Sequence, residues 1–212
     1  MSLLWWNNYQ DEDWVFLLMG VLNTFDEENV MAMLWAVRFE WSSGKQFTFS
    51  CYRHWVTLVV HDVYGSVHFL YIKEFVTHGG PLSMIAYGIG ILLLIRDLCD
   101  THLQIMQPWY VDDAGLGGKF KALQEHMWDM LVRGATWGYL PEPTKIILVV
   151  SLRNVQRAEA HFRGMEVCVV AGSRDLIGFI GDPDSYKAWI YEKVTGWTDS
   201  VGVLARVDRI HL

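Results

Sequence analysis

The chain lacks excess positive charge, paired cysteines and a hydrophobic run long enough to cross a membrane. It has 17 Lys and Arg residues against 24 Asp and Glu residues, a formal net charge of −7. This excludes a basic nucleic-acid coat protein, because no overall positive field would attract phosphates. The three cysteines, Cys51, Cys99 and Cys168, are far apart and show no ligand spacing. We therefore expect no disulfide framework, no zinc site and a reducing, intracellular compartment.

Two further absences concern targeting. Residues 1–13 have no positively charged segment before their few apolar residues, which is unlike a signal peptide. The longest apolar run, residues 82–95, falls short of the roughly 20 residues that a transmembrane helix needs, so it predicts a buried core helix and no membrane partner. What the chain does have is 52% hydrophobic residues, 19% charged residues and 11 Trp. Such a composition is typical of a folded domain with a sizeable core.

Strands and helices are predicted to alternate irregularly, with at least one hairpin, which indicates an α+β fold. The predicted strands are residues 14–22, 47–60, 67–72, 106–111, 146–150, 167–170 and 176–180. The predicted helices are residues 27–41, 82–102, 119–133, 154–163 and 185–205. Residues 62–65 are predicted to form the hairpin turn, with Asp26 as a helix cap and Gly196 as a dent in the last helix. Three glycines and two prolines predict irregular segments, a flexible hairpin exit at Gly115, Gly117 and Gly118 and a loop at Pro141 and Pro143.

Two adjacent carboxylates, Asp112 and Asp113, follow a predicted strand that ends near Tyr110. A hairpin that presents two acids is suited to Mg²⁺, which prefers a few carboxylates together with phosphate oxygens and water. Asp and Gly are also common turn residues, so the pair by itself favours a solvated turn over a metal site. The residues by themselves leave both interpretations open.

Five short segments, in this order along the chain, resemble the conserved boxes of reverse transcriptases. GVLNTFD at 20–26 resembles DxxxAFD, and HGGPLS at 78–83 resembles QGxPLS. YVDD at 110–113 resembles YxDD. PTK at 143–145 resembles the lysine-bearing loop, and LIG at 176–178 resembles the primer-contacting turn. The chain is most similar to the palm of non-LTR retrotransposon reverse transcriptases.

The resemblance implies a polymerase palm, an antiparallel sheet with helices packed on one face. It implies an N-terminal extension at 1–13, the palm at 14–181 and a C-terminal helical segment at 182–212, with fingers and thumb largely missing. The expected activity is RNA-templated DNA synthesis by two-metal nucleotidyl transfer. The expected partners are an RNA template, a DNA primer and deoxynucleotides, and the expected cofactor is Mg²⁺ or Mn²⁺.

The resemblance also assigns roles to single residues. Asp112 and Asp113 are the expected metal ligands, and Lys145 is the expected catalytic lysine that assists pyrophosphate release. The expected nucleotide-binding residues are Phe25, His78, Gly79 and Tyr110, and the expected primer contacts are Ile177 and Gly178.

Departures from the boxes lead to three hypotheses. Gly20 stands where the family has its first metal-binding Asp, and glycine has no side chain to bind a metal. His78 replaces the Gln of the second box. We therefore expect an impaired polymerase domain. The alternatives are a non-catalytic remnant that binds nucleic acid and a pseudogene product without a selected role. The candidate phosphate contacts are Lys119, Lys121, Lys145, Arg153, Arg157 and Arg174.

Overall fold

The computed structural model describes residues 6–7, 13–21, 29–54, 56–72, 82–175 and 178–205. Within these ranges the helices are α1 (Val30–Glu40), α2 (Lys45–Tyr52), α3 (Ser83–Thr101), α4 (Phe120–Gly134), α5 (Val155–His161) and α6 (Pro183–Leu204). The strands are β1 (Trp14–Val21), β2 (Val56–His61), β3 (Val67–Ile72), β4 (Trp109–Tyr110), β5 (Asp113–Lys119), β6 (Pro141–Val149), β7 (Cys168–Val170), β8 (Gly172–Asp175) and β9 (Gly178–Gly181).

A five-stranded sheet in the order β4–β5–β1–β6–β7 forms the centre of the described structure. β1 is antiparallel to both β5 and β6, whereas β6 and β7 at one edge are parallel. β1 suits the central position because its sequence, WVFLLMGV, is apolar at nearly every residue and is mostly buried on both faces of the sheet. The strand predicted at 14–22 is therefore confirmed to within one residue.

Helices α3 and α4 cover one face of this sheet and enclose the main hydrophobic core. Val15, Leu17 and Met19 contribute to this core from β1. The two helices contribute side chains at three- and four-residue steps, so that each turns one apolar face to the sheet. These buried helical residues include Tyr87, Ile91, Leu94, Leu98, Leu123, Met127 and Met130. The predicted α+β architecture, an antiparallel-rich sheet with helices on one face, is confirmed.

The opposite face of the sheet, called here the second face, carries the alternate residues of the same strands. Phe16 of β1 and Val149 of β6 pack there with Ile180 of β9 and with Trp6. This smaller cluster lies toward the Trp14 end of β1. The other end of β1, at Gly20, is where the candidate site lies.

The apolar run at 82–95 forms most of α3, a helix of the core. None of the helices in the described ranges combines the length and the hydropathy needed to cross a bilayer. The predicted hairpin is also confirmed, since β2 and β3 pair antiparallel along their whole length. Its turn is fixed by the Asp62 carboxylate, which accepts hydrogen bonds from the backbone N–H groups of Tyr64 and Ser66. Gly65 supplies the positive φ, 83°, that this turn requires.

The strand predicted over the first part of 47–60 is wrong, because Lys45–Tyr52 is a helix. The prediction relied on the alternation of Phe47, Phe49 and Cys51, but both phenylalanines are about half exposed and face no core. The buried residue of this helix is Thr48, whose hydroxyl donates to the carbonyl of Gly44 at 3.0 Å. Three alternating residues without a buried face do not define a strand.

The predicted flexible exit at Gly115, Gly117 and Gly118 is also wrong, because these residues form the buried strand β5. A Cβ atom at Gly115 would lie 3.0 Å from Cζ of Phe16 on the neighbouring strand. Glycine here permits the close approach of a large side chain, a role that glycine commonly has inside strands.

The loop predicted at Pro141 and Pro143 is the first part of β6. The register between β1 and β6 shifts between Met19 and Val21, opposite this proline-containing part. Prolines are tolerated at such irregular strand starts because fewer ladder hydrogen bonds are needed there.

Helix boundaries differ from the prediction at two places. Asn29, rather than Asp26, caps α1, and its side chain accepts a hydrogen bond from the N–H of Ala32 at 3.0 Å. Asp26 itself lies outside the described residues. α6 continues through Gly196 without interruption, so the predicted dent is wrong.

Candidate functional site

The hairpin of β4 and β5 turns through only two residues, Val111 and Asp112. Tyr110 and Asp113 pair across the hairpin on either side of them. Val111 has a φ of 56°, and among the described residues no other non-glycine residue has a positive φ. A positive φ confined to the first loop residue is the pattern of a type II′ turn, where glycine is usual. A β-branched residue in this conformation is strained by about 1–3 kcal/mol, and such strain clusters at functional sites.

A buried tyrosine supports this turn from the core side. Tyr139 is fully buried, and its hydroxyl donates to the backbone carbonyl of Asp112 at 3.2 Å. The ring of Trp109 packs edge-on against it, with the ring centroids 5.5 Å apart. Burial, and then the carboxylates of Asp112 and Asp113, raise the pKa of Tyr139 far above its usual value. The phenol therefore stays protonated and remains a hydrogen-bond donor.

Three strands bring Asp113, Gly20 and Lys145 into one row across the sheet. The antiparallel registers of β1 with β5 and with β6 both extend to Met19, the residue before Gly20. Continued by one residue, the register with β5 sets Gly20 opposite Asp113, and Lys145 lies beside Gly20 on its other side, at the point where the register with β6 shifts. Directly opposed residues of antiparallel strands point to the same face, which here is the second face. A Cβ atom at Gly20 would lie 3.3 Å from Oδ1 of Asp113 and 3.1 Å from Cδ of Lys145.

The side chain of Lys145 lies beside Gly20 and is hydrogen-bonded at its ammonium end. Its Cβ and Cδ atoms lie 3.3 Å and 3.1 Å from the point that a Cβ atom of Gly20 would occupy. Its ammonium nitrogen, Nζ, donates to the backbone carbonyl of Val21 at 2.9 Å. The stem of the lysine thus occupies the space next to the position where a side chain at residue 20 would begin.

The remaining predicted site residues are distributed differently. Tyr110 is exposed at the end of β4, beside the turn. Gly178 begins β9 and lines a cavity of about 650 Å³ together with Trp14 and other aromatic residues. Trp14 and Gly20 are at opposite ends of β1, about 20 Å apart at 3.3 Å per residue, so Gly178 is not adjacent to the turn. Phe25, His78, Gly79 and Ile177 lie outside the described residues.

The basic residues considered for phosphate binding are spread over several elements. Lys119 ends β5 on the second face, and its Nζ lies 5.9 Å from the ring centroid of Trp14. Lys121 lies near Glu125 on α4, and Arg157 forms an ion pair with Asp13. Arg153 and Arg174 are both exposed. Lys119 and Arg157 both lie near the Trp14 end of β1, because Arg157 pairs with Asp13, whereas Lys145 lies beside Gly20 at the other end.

Comparison with solved structures finds a similar fold in telomerases. Telomerase from Candida albicans, in complex with a TWJ fragment of telomeric RNA, is similar with a TM-score of 0.55 at 13% identity, over 70% of this chain and 31% of the telomerase chain. Apo telomerase from Candida tropicalis is similar with a TM-score of 0.55 at 13% identity, over 72% of this chain and 32% of the other. The fold is reverse transcriptase-like. The chain spans about a third of the length of these telomerases, and no protein-family model and no curated protein matches it.

In this reverse transcriptase-like fold, the residues present do not fit a two-metal site of the kind that the sequence resemblance implies. That site needs three carboxylates, two at the hairpin and one on the central strand. The hairpin pair is present, but the central strand offers Gly20, crossed by Lys145. In the described part of the chain, no three His, Cys, Asp or Glu side chains are placed to hold a metal ion together.

Sequence reasoning missed two parts of the site. Tyr139 belongs to no box, and its position under the turn depends on the packing of α4 and β6 against the hairpin. The contact between Lys145 and Gly20 depends on the register of two strands that are distant in sequence. A pattern that could have indicated either contact is not visible in a single sequence.

Proposed function

We propose that this chain is a reverse transcriptase palm module of the non-LTR retrotransposon type, with nucleotidyl transfer impaired at its metal site. The observation that carries the proposal is the row of Asp113, Gly20 and Lys145. Position 20 lies directly beside a carboxylate of the YVDD turn, so an acid there would belong to the same cluster. Glycine removes that acid, and the loss of a charge-stabilising metal ligand costs orders of magnitude in rate.

The proposed ligand of the module is a duplex of an RNA template and a DNA primer, bound over the second face of the sheet. Two observations support this choice. Lys119 lies on the second face at the end of β5 remote from Asp113, where its ammonium is close to the ring of Trp14. One of the structurally similar telomerases is a complex with telomeric RNA. Phosphates and bases are recognised by such pairs of cationic and aromatic side chains.

Primer extension tests the impaired chemistry. The full chain is incubated with an RNA template, a labelled DNA primer and deoxynucleotides, with Mg²⁺ or Mn²⁺. The matched background is the Asp112→Asn, Asp113→Asn double variant, which removes both hairpin acids. We expect no extension by the wild-type chain above this background. Extension clearly above this background would refute the proposed impairment and would indicate an active polymerase.

Duplex binding tests the module independently of the chemistry. Fluorescence anisotropy with the same primer–template should show binding at 50 mM salt that weakens at least about tenfold at 200 mM, because counterions are released from the phosphates. Lys119→Ala should weaken binding, while Lys187→Ala, which removes an exposed lysine paired with Asp184 on α6, should not. Absence of measurable binding at 50 mM salt would refute the proposed ligand.

A further inference from the structure

Lys145 lies where it can act on the acidic turn in a way that its resemblance to a catalytic lysine does not describe. The ammonium is tied to the carbonyl of Val21, at the end of the central strand. The stem crosses the only backbone position between Lys145 and Asp113 in the row. We propose that the ammonium of Lys145 is a built-in cation that takes the place of a divalent metal ion at the Asp112–Asp113 turn.

The stem of Lys145 leaves little room for a side chain at position 20. A side chain at position 20 would begin within 3.1–3.3 Å of two carbon atoms of the lysine stem, which is tighter than ordinary van der Waals contact. An acid at position 20 therefore requires the stem of Lys145 to move by a few tenths of an ångström. Glycine at position 20 lets the lysine lie flat across the strand, so the two residues act as one unit.

The ammonium of Lys145 also changes the charge around the turn. Asp113 and Lys145 flank Gly20 from the two strands beside β1, and both side chains reach toward it, since Oδ1 of Asp113 and Cδ of Lys145 lie 3.3 Å and 3.1 Å from its Cβ position. The bond from Nζ to Val21 uses a neutral acceptor, so the positive charge of the lysine is not cancelled by it. A fixed positive charge beside the turn offsets part of the negative charge of Asp112 and Asp113. It also repels a divalent cation, because the Coulomb energy grows with the product of the charges.

The ligands that the turn offers are few for a divalent cation. Divalent cations need several oxygen ligands, and Mg²⁺ in particular is held by carboxylates together with substrate phosphates. In the described residues the turn supplies two carboxylates without a third acidic, histidine or cysteine ligand nearby. The site thus lacks one of the three carboxylates and has the stem of Lys145 beside the position where that carboxylate would begin. This inference rests on the proposed function, of which it specifies the metal site.

Metal binding without nucleic acid tests the inference directly. Mn²⁺ is titrated into the full wild-type chain and followed by calorimetry and by electron paramagnetic resonance of free Mn²⁺. We expect no binding tighter than about 1 mM, because the ammonium occupies the cation position. A dissociation constant of 100 μM or below at a site abolished by Asp112→Asn, Asp113→Asn would overturn the proposal without any need for a lysine variant.

Three variants then separate the steric and the charge effects. Lys145→Met keeps the length of the stem and removes the charge, so Mn²⁺ should bind at least tenfold more tightly than to the wild type. Gly20→Asp alone should gain little, because the new acid faces the retained lysine. Gly20→Asp combined with Lys145→Met should bind Mn²⁺ most tightly. Its gain in binding free energy should exceed the sum of the gains of the two single variants. Lys121→Met, on the exposed side of α4, is the matched control and should behave as wild type.

The outcomes distinguish this inference from the proposed function. If Lys145→Met and its combination with Gly20→Asp bind Mn²⁺ no better than Lys121→Met, the lysine does not stand in for a metal ion and the proposal is wrong, even when duplex binding is normal. If the chain does not bind the duplex but Lys145→Met binds Mn²⁺ more tightly than the wild type, the inference about Lys145 is supported and the proposed nucleic-acid ligand is wrong. Lys145→Gln provides a second neutral variant, and it should show the same gain.

Discussion

Acidification to pH 5 should destabilise the fold through one buried histidine, His126. This residue is fully buried on α4. Its Nε2 lies 3.1 Å from Oε1 of Gln107, an acceptor, so Nε2 carries the proton. Its Nδ1 is buried and has no hydrogen-bond partner among the described residues. A second proton would therefore create a buried N–H group without an acceptor.

The magnitude follows from the shift in its pKa. Burial, and then the neighbouring His102, lower the pKa of His126 from 6.5 to about 3, against a smaller opposing effect of Asp129. Because the pKa is lower in the folded state, the stabilisation is complete above pH 6.5 and is lost as the pH falls from 6.5 toward 3. At pH 5.0 the unfolded chain gains about 2 kcal/mol from protonation of this histidine, since each pH unit is worth about 1.4 kcal/mol.

Urea unfolding of the full chain at pH 7.5 and pH 5.0 measures this effect. The wild type should lose about 2 kcal/mol more than His126→Gln between the two pH values. His61→Gln, at the exposed end of β2, is the control and should lose as much as the wild type. The lowered pKa values of Asp62 and Asp182 act below pH 4 and leave this window undisturbed. Equal losses in the wild type and in His126→Gln would refute the reasoning.

Three further predictions concern the turn and the glycines. Val111→Gly should be about 1 kcal/mol more stable than Val111→Ala, because alanine keeps the strain of a positive φ and glycine does not. Chemical denaturation measures the difference. If the alanine variant is the more stable one, as is usual for this pair of residues, the assigned turn is wrong. Tyr139→Phe should reduce the free energy of unfolding by about 1 kcal/mol through the lost bond to Asp112, and unchanged stability would show that this bond is not formed. Gly134→Ala should cost about 2 kcal/mol, since its Cβ would lie 2.5 Å from the carbonyl oxygen of Tyr139. Gly196→Ala, with open space at its Cβ, should instead add about 0.5–1 kcal/mol; thermal melts that rank these two variants the other way would refute the packing described.

Elements with a strong local pattern were predictable from the sequence. The apolar run at 82–95 became α3, and the turn residues Asp62 and Gly65 closed the β2–β3 hairpin where expected. These features depend on neighbours in the chain, which a single sequence displays. The strand β5 was missed because it depends on a contact between residues that are distant in the chain. Its glycines resemble a flexible segment, but they leave space for the ring of Phe16, which lies on a strand about a hundred residues earlier.

In the candidate site, too, local features could be predicted from the sequence and long-range contacts could not. The pair Asp112 and Asp113 could be found from its position after a strand and from its resemblance to a known box. The contact of Lys145 with Gly20 could not, because it depends on the register of β6 against β1. A shift of one residue in this register would turn Lys145 to the other face. The residues of a single turn can be identified from the sequence. Contacts that depend on how distant strands pair can be identified only from the structure.

The position of β1 at the centre of the sheet also bears on how the chain folds during synthesis. This strand is made first, yet its partners are residues 113–119 and 141–149. At a synthesis rate of about 5–20 residues per second, roughly 7–25 s separate the first strand from its last partner. Until β5 is made, this almost wholly apolar segment has neither ladder to join, and until β6 is made it lacks the second. Such long-range pairing slows folding further. The nascent chain should therefore depend on a chaperone that binds short apolar segments.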